Sequence, residues 1–291
     1  MAAALPPPVL SEAPLAPGLY VVSTPIGNLR DITLRALDVL KAADLVLAED
    51  TRVTGKLLNA FGIKQRLRRY DDHAGAEARP EILQRLKEGA RVALVSDAGT
   101  PLMSDPGYRL VREAAEAGLP VFPIPGASSI LAALAAAGLP TDRFLFAGFP
   151  PTKGAARRTF LEDLAGVKAT LVLFEGASRL GESLQAMADA FGPRQAAVAR
   201  ELTKLHETLL RGSLPDLAAD PRLAAPKGEV VVVVGPPEAE SLSAEDADAA
   251  LAEALTRRGP SEAAAEVARA TGLARKALYR RALAMKAGGE G

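Results

Sequence analysis

Strand-length apolar runs recur along this chain: GLYVVS (18–23), ADLVLAE (43–49), ARVALVS (90–96), LPVFPI (119–124), FLFAGF (144–149), ATLVLFE (169–175), QAAVARE (195–201) and GEVVVVVG (228–235). Between several of them lie helix-length stretches whose apolar residues return every three or four positions, at 32–41, 81–88, 108–117 and 179–191. Such alternation points to βαβ units, hence an α/β fold with mainly parallel sheets. With 291 residues there is room for two domains. PIPG (123–126) and GPPE (235–238) mark two breaks. The expected organisation is therefore a disordered Pro/Ala-rich tail at 1–17, α/β domains at 18–125 and 126–237, and a helical extension at 238–291.

Composition narrows the function. There is no Cys, which removes disulfides, thiolate nucleophiles and Cys-based metal sites, and only two His, so no metal site is expected. No uninterrupted apolar stretch is long enough to span a membrane, and the N-terminus lacks a basic leader, so a cytoplasmic protein is expected. Lys plus Arg equals Asp plus Glu at 35 each, yet the charge is unevenly placed. Between 238 and 256 stand Glu238, Glu240, Glu245, Asp246, Asp248 and Glu253 with no basic residue. From 257 to 286 eight Arg and Lys face only Glu262 and Glu266, an asymmetry that marks a nucleic-acid-facing surface or a plain solvated helix.

Four loops follow four of the strands: STPIGN (23–28), EDTRVTG (49–55), SDAGTPLMSDPG (96–107) and PGASS (125–129). If those strands are parallel, the loops converge on one edge of the sheet, where open α/β sheets bind ligands. None is a dinucleotide fingerprint or a phosphate loop, which disfavours NAD and ATP. In EDTR, Glu49, Asp50 and Arg52 form either a solvated ion pair or a carboxylate that orients a hydroxyl beside a phosphate-binding guanidinium. PPTKGAARR (150–158) offers Lys153, Arg157 and Arg158 to a phosphate backbone, and KQRLRRYDDH (64–73) adds arginines next to His73, a reserve proton acceptor. Residues 261–283 read as a helix-turn-helix, with Ser261 as N-cap, Gly272 and Leu273 in the turn, and Arg275, Lys276, Arg280 and Arg281 on the second helix.

Taken together, the TPIGNL, AEDTR, DAGTP, PGASS and ARELTKLHE segments resemble the ribosomal RNA small subunit methyltransferase I family of the tetrapyrrole methylase superfamily, over roughly residues 18–237. The terminal helices look like that family's appended helical domain. The resemblance implies a two-domain tetrapyrrole-methylase-like α/β fold with a helix-turn-helix-like C-terminal extension. It also implies an S-adenosylmethionine-dependent enzyme that methylates the ribose 2′-oxygen of a cytidine in the decoding region of 16S rRNA, naked or in the small ribosomal subunit, and acts as a homodimer. Pro25, Gly27, Gly99, Thr100, Met103, Ser128 and Ser129 are the cofactor positions it implies. FEGASRL (174–180) resembles the family's Glu-Ala-Pro-His-Arg element, with Glu175 and Arg179 kept and Ala177-Ser178 in place of Pro-His.

A ribose hydroxyl attacks a methyl group well only as its proton leaves, so Asp50 or Glu49 is expected to accept it while Arg52 neutralises a phosphate. Two rival readings stay open: a small-molecule, tetrapyrrole-type methyltransferase, and a non-catalytic nucleic-acid-binding regulator.

Overall fold

The computed structural model describes residues 14–237 and 244–288, in two compact units divided between Gly235 and Pro236. In the first unit, β1 (Gly18–Val22), β2 (Leu45–Ala48), β3 (Leu67–Arg69), β4 (Arg91–Val95) and β5 (Val121–Ile124) form an all-parallel sheet in the order β3-β2-β4-β1-β5. Its strands alternate strictly between two buried faces. Tyr20, Val22, Val46, Ala48, Ala93 and Val95 pack against α1 (Leu34–Ala42) and α2 (Thr51–Ala60). Leu19, Leu45, Leu47, Val92 and Leu94 pack against α3 (Asp72–Lys87) and α4 (Tyr108–Glu116). A sheet covered on both faces needs apolar residues on both, which is why these strands read as continuous apolar runs.

The chain leaves β1 toward α1 on one face and leaves β4 toward α4 on the other. Because β1 and β4 are neighbours, their carboxyl ends form a topological switch point, the place where doubly wound sheets open a ligand crevice.

The second sheet departs from the parallel expectation. Its strands are β6 (Phe144–Gly148), β7 (Thr170–Gly176), β8 (Gln195–Arg200), β9 (Thr208–Ser213) and β10 (Glu229–Val234), ordered β6-β7-β10-β8-β9. Only β6 and β7 are parallel; β7–β10, β10–β8 and β8–β9 are antiparallel. The short 201–207 connection is the local cause, since a parallel crossover needs a dozen residues or more. One face carries α6 (Gly154–Ala165), α7 (Leu180–Phe191) and α8 (Leu214–Ala219), and the other carries α5 (Ser129–Ala137). Of the expected tail, residues 1–13 lie outside the described residues; Leu15 packs on the first core, and Tyr20 donates to the Ala16 carbonyl at 2.7 Å.

The second unit holds α9 (Ala244–Leu255), α10 (Pro260–Thr271) and α11 (Arg275–Gly288) around its own core of Ala247, Leu251, Ala263, Val267, Leu278 and Ala282. Gly272, at φ 72°, ends α10 in the left-handed conformation, giving the expected turn between two helices. Ser261 is not the N-cap: Gly259 holds that position, Pro260 opens the helix, and the Ser261 hydroxyl accepts from Arg275 at 3.3 Å. Within the acidic stretch, Glu238 and Glu240 and the side chains of Glu245 and Asp246 lie outside the described residues. No helix among the described residues is long and apolar enough to cross a membrane.

Candidate active site

The switch point is stitched by backbone. Thr24 and Gly99 exchange hydrogen bonds of 2.9 and 3.1 Å, an isolated bridge that joins the loop after β1 to the loop after β4. The Thr24 hydroxyl donates to the Ser96 carbonyl at 3.1 Å, and the Ser23 and Thr100 hydroxyls lie 3.0 Å apart. Gly99 sits at φ 81°, a conformation that side chains resist. The loop after β5 closes in from the other side of β1. A Cβ on Gly126 would stand 2.8 Å from the Cβ of Ser23, so only glycine permits this approach. Ser128 then caps α5, accepting from the Leu131 N–H at 3.4 Å. Within the β4 loop, Leu102 and Ser104 both hold positive φ (76° and 67°), strain of the kind that persists where surrounding structure enforces it.

These loops enclose, together with the second sheet, a cavity of about 400 Å³. Gly99, Thr100, Met103, Ser128 and Ser129 line it, as do the apolar Ile26, Ile130, Phe149, Phe174 and Val231 and the carboxylates of Asp97 and Asp105. Pro25 and Gly27 line an adjoining cavity of about 380 Å³, with Val53, Thr54 and Lys56 of α2 and with Lys204. The sheet thus brings together all seven positions expected from the loops, five in one cavity and two in the next.

The acidic pair behaves differently. Asp50 is the N-cap of α2: its carboxylate accepts the Arg52 N–H at 2.8 Å and grips the Arg52 guanidinium at 2.6 to 3.1 Å. Those hydrogen bonds, the guanidinium's first, hold its carboxyl well below the usual carboxylate range, which makes it a weak proton acceptor. Its backbone N–H donates to Asp97 at 3.0 Å, tying the β2 loop to the β4 loop. From this segment the adjoining cavity takes Val53, Thr54, Lys56 and Leu57; Glu49, Asp50 and Arg52 are not in its lining. The side chain of His73 lies outside the described residues.

Among the expected phosphate contacts, Lys153 and Arg158 are exposed, and so are Arg275, Lys276 and Arg280. Arg157 is a correction. It is buried, donates to Ser183 at 3.3 Å and pairs with Glu182 at 3.1 Å, so helix periodicity turns it inward to close α6 against α7. Ser183 in turn donates to Glu175. The retained Glu175 and Arg179 form an ion pair at 2.9 Å, and Glu175 also accepts the Gly176 N–H at 2.6 Å. Its carboxylate is fully engaged and serves to shape the wall.

Sequence reasoning did not single out Asp105, Asp97, Phe149 or Phe174 as site residues. Asp105 lies inside SDPG, where turn chemistry accounts for an aspartate by itself. The structure leaves it half-buried, and burial pushes its carboxyl up to about 6, a Ser96 hydrogen bond lowering it and the Asp97 charge raising it. Phe149, just past β6, and Phe174, in β7, have rings 5.3 Å apart, a pairing that exists only once those two strands meet in the folded sheet.

This doubly wound sheet, with its crevice closed by a second mixed sheet, defines a class. The family model for Tetrapyrrole (Corrin/Porphyrin) Methylases matches residues 18–218. The model for the RsmI C-terminal HTH domain matches residues 241–286. A "Ribosomal RNA small subunit methyltransferase I" of Mesorhizobium japonicum is 54% identical over 282 residues, covering 96% of each chain. One of Erythrobacter litoralis is 56% identical over 95% of this chain and 98% of the other, and one of Escherichia coli O157:H7 is 46% identical over 91% and 94%. Among solved structures, uroporphyrin-III-C-methyltransferase from Thermus thermophilus is similar at 26% identity and TM-score 0.53, covering 75% of this chain and 93% of that one. Diphthine synthase, at 18% identity and TM-score 0.57 over 75% of this chain and 89% of that one, shares the fold. The chain belongs to the ribosomal RNA small subunit methyltransferase I family, within the tetrapyrrole methylase fold.

Proposed function

We propose that this protein methylates the ribose 2′-oxygen of a cytidine in the decoding region of 16S rRNA, using S-adenosylmethionine and acting as a cytoplasmic homodimer. The observation that carries the reading is the 400 Å³ cavity at the switch point, where loop hydroxyls and glycine backbone face apolar walls and four acidic residues. Its size suits an enclosed small ligand. Ile26, Ile130, Phe149 and Phe174 suit a purine ring, Thr100, Ser128 and Ser129 suit ribose and amino-acid groups, and Asp97 suits a cation. When bound, that cofactor supplies a methyl group already activated by a positively charged sulfur.

The chain's own residues then have three tasks. The loops fix the cofactor, and alignment alone supplies much of the rate in a displacement of this kind. Asp50 acts through position, holding α2, the Arg52 guanidinium and the Asp97 loop in register. Arg52, 86% exposed, neutralises RNA phosphate, as do Lys153, Arg158, Arg275, Lys276 and Arg280. The target cytidine is splayed out of its stack to reach the crevice, since a base and ribose inside a helix cannot enter it.

The test is methyl transfer from radiolabelled S-adenosylmethionine to small subunits lacking the modification, to the matching naked rRNA, and to a tetrapyrrole mixture. Nucleoside mass spectrometry should return 2′-O-methylcytidine from one of the RNA arms. Methylation of the tetrapyrroles alone would replace this reading with the small-molecule one. Duplex DNA binding with no transfer to any substrate would favour the regulator.

A further inference from the structure

Asp105 stands in a wall between two hollows. On one side is the cavity already described. On the other, a hollow of about 450 Å³ opens between the start of α3 and the start of α4, lined by Tyr70, Arg79, Tyr108 and Arg109 among others. Among the described residues, Asp105 is the one that the two linings share.

The second hollow has the chemistry of a nucleotide site. Tyr108, a residue 64% exposed, opens α4, and the Arg112 guanidinium lies 5.9 Å from its ring centroid. An exposed aromatic flanked by guanidinium groups stacks a base and meets its phosphate. Arg109 is exposed beside it, whereas Arg79 is held by Glu113 at 2.7 Å.

We propose that Asp105 is the catalytic base of methyl transfer, and that the hollow bearing Tyr108 and Arg109 receives the acceptor nucleotide. This rests on the rRNA methyltransferase reading above. Acceptor and donor then meet across one carboxylate. The 2′-oxygen forms its bond to the methyl carbon as the carbon–sulfur bond breaks, and that electron pair stays on sulfur, leaving a neutral thioether. The hydroxyl proton passes to the Asp105 carboxylate and from there to water.

The neighbouring carboxylates are committed elsewhere. Asp50 is bound to Arg52, and Asp97 accepts the Asp50 N–H. Glu175 is bound to Arg179 and Ser183, and Glu229 pairs with Lys204 at 3.2 Å. Asp71, Arg79 and Arg109, with Tyr70 and Tyr108, are the ionisable groups on the acceptor side; Asp97, Glu175 and Glu229 are those on the donor side. Burial holds Asp105 near 6, so at neutral pH it is ionised yet a stronger base than an ordinary aspartate.

The test compares full-length wild type, Asp105→Asn, Asp105→Glu and Tyr108→Ala. Single-turnover methyl transfer to unmodified small subunits is followed from pH 5 to 9. Affinity for S-adenosylhomocysteine is measured by calorimetry, and affinity for the RNA is measured with that product bound. The wild-type rate should rise with pH and level off above about 6. Asp105→Asn should keep both affinities within about twofold while its rate falls on the order of 100-fold or more and loses the rise. Asp105→Glu should recover part of the rate with a displaced profile. Tyr108→Ala should weaken RNA binding about tenfold with cofactor affinity unchanged. An Asp105→Asn enzyme with wild-type rate and profile overturns the inference and leaves the functional reading standing. Joint loss of both affinities in Asp105→Asn, unrestored by Asp105→Glu, makes the residue structural and overturns it as well. Wild type that transfers no methyl to RNA brings down the reading and the inference together.

Discussion

Asp50 and Asp105 are both loop aspartates at the carboxyl edge of the first sheet, and their surroundings move them in opposite directions. Asp50 is gripped by a guanidinium, which stabilises its charge. Asp105 is half-buried next to a second carboxylate, which does the reverse. A folded-state pKa raised above the unfolded value means that Asp105 favours the fold while protonated. That contribution is complete below about pH 4 and is lost as pH rises through about 6. Two pKa units correspond to roughly 3 kcal/mol for a fully buried group, and partial exposure reduces this to about 1 kcal/mol. Asp105→Asn should therefore be more stable than wild type by about 1 kcal/mol at pH 8 and no more stable at pH 4, as read from urea melts. Equal gains at the two pH values would contradict this account. Arg157 and Arg158 give a second pair. Arg157→Ala should cost about 2 kcal/mol by removing the buried side chain that closes α6 against α7 through Ser183 and Glu182. Arg158→Ala should leave stability within about 0.5 kcal/mol and instead weaken RNA binding and flatten its salt dependence.

At the level of elements, the site depends on loops that approach one another more closely than side chains allow. Gly126→Ala places a methyl group 2.8 Å from the Cβ of Ser23 and must part the β1 and β5 loops. Cofactor affinity should fall about tenfold with the melting temperature nearly unchanged, and calorimetry beside a thermal melt would separate the two. A variant that melts early and binds normally would refute it. The loops and their strands were legible in the sequence, because VVSTP, LAEDT and LVSDAGTP each carry an apolar run straight into turn residues. Helices α2, α5 and α6 were not, since α5 is SILAALAAA and alanine reads as neither face, while α2 begins inside a segment that looked like loop. Nor was the antiparallel half of the second sheet legible. Val230 to Val234 suit a parallel or an antiparallel neighbour equally, and pairing direction was decided by the 201–207 turn. Arg157 escaped for a related reason: four consecutive residues after a Pro/Gly loop cover a whole helical turn, so one of them had to face the core.

For the whole molecule, the helical unit has its own core, built from residues of α9, α10 and α11. Removing residues 238–291 should leave cofactor binding within about twofold and reduce RNA methylation at least tenfold, as checked by calorimetry and by transfer to small subunits. Loss of cofactor affinity on truncation would show that the unit supports the cavity itself. A homodimer predicts twice the chain mass in light scattering, and a monomer would remove that part of the proposal.

The bridge between Thr24 and Gly99 joins residues separated by 75 positions, and Val231 at the cavity wall comes more than 100 positions later still. Contacts of such sequence separation form late, after the entropy of closing long loops has been overcome. During synthesis, then, a nascent chain has no complete cavity until β10 has left the exit tunnel and threaded between β7 and β8. Completion of the cavity thereby becomes a certificate of completed folding: a truncated or stalled chain, even one with a fully formed first sheet, lacks the wall that β10 supplies.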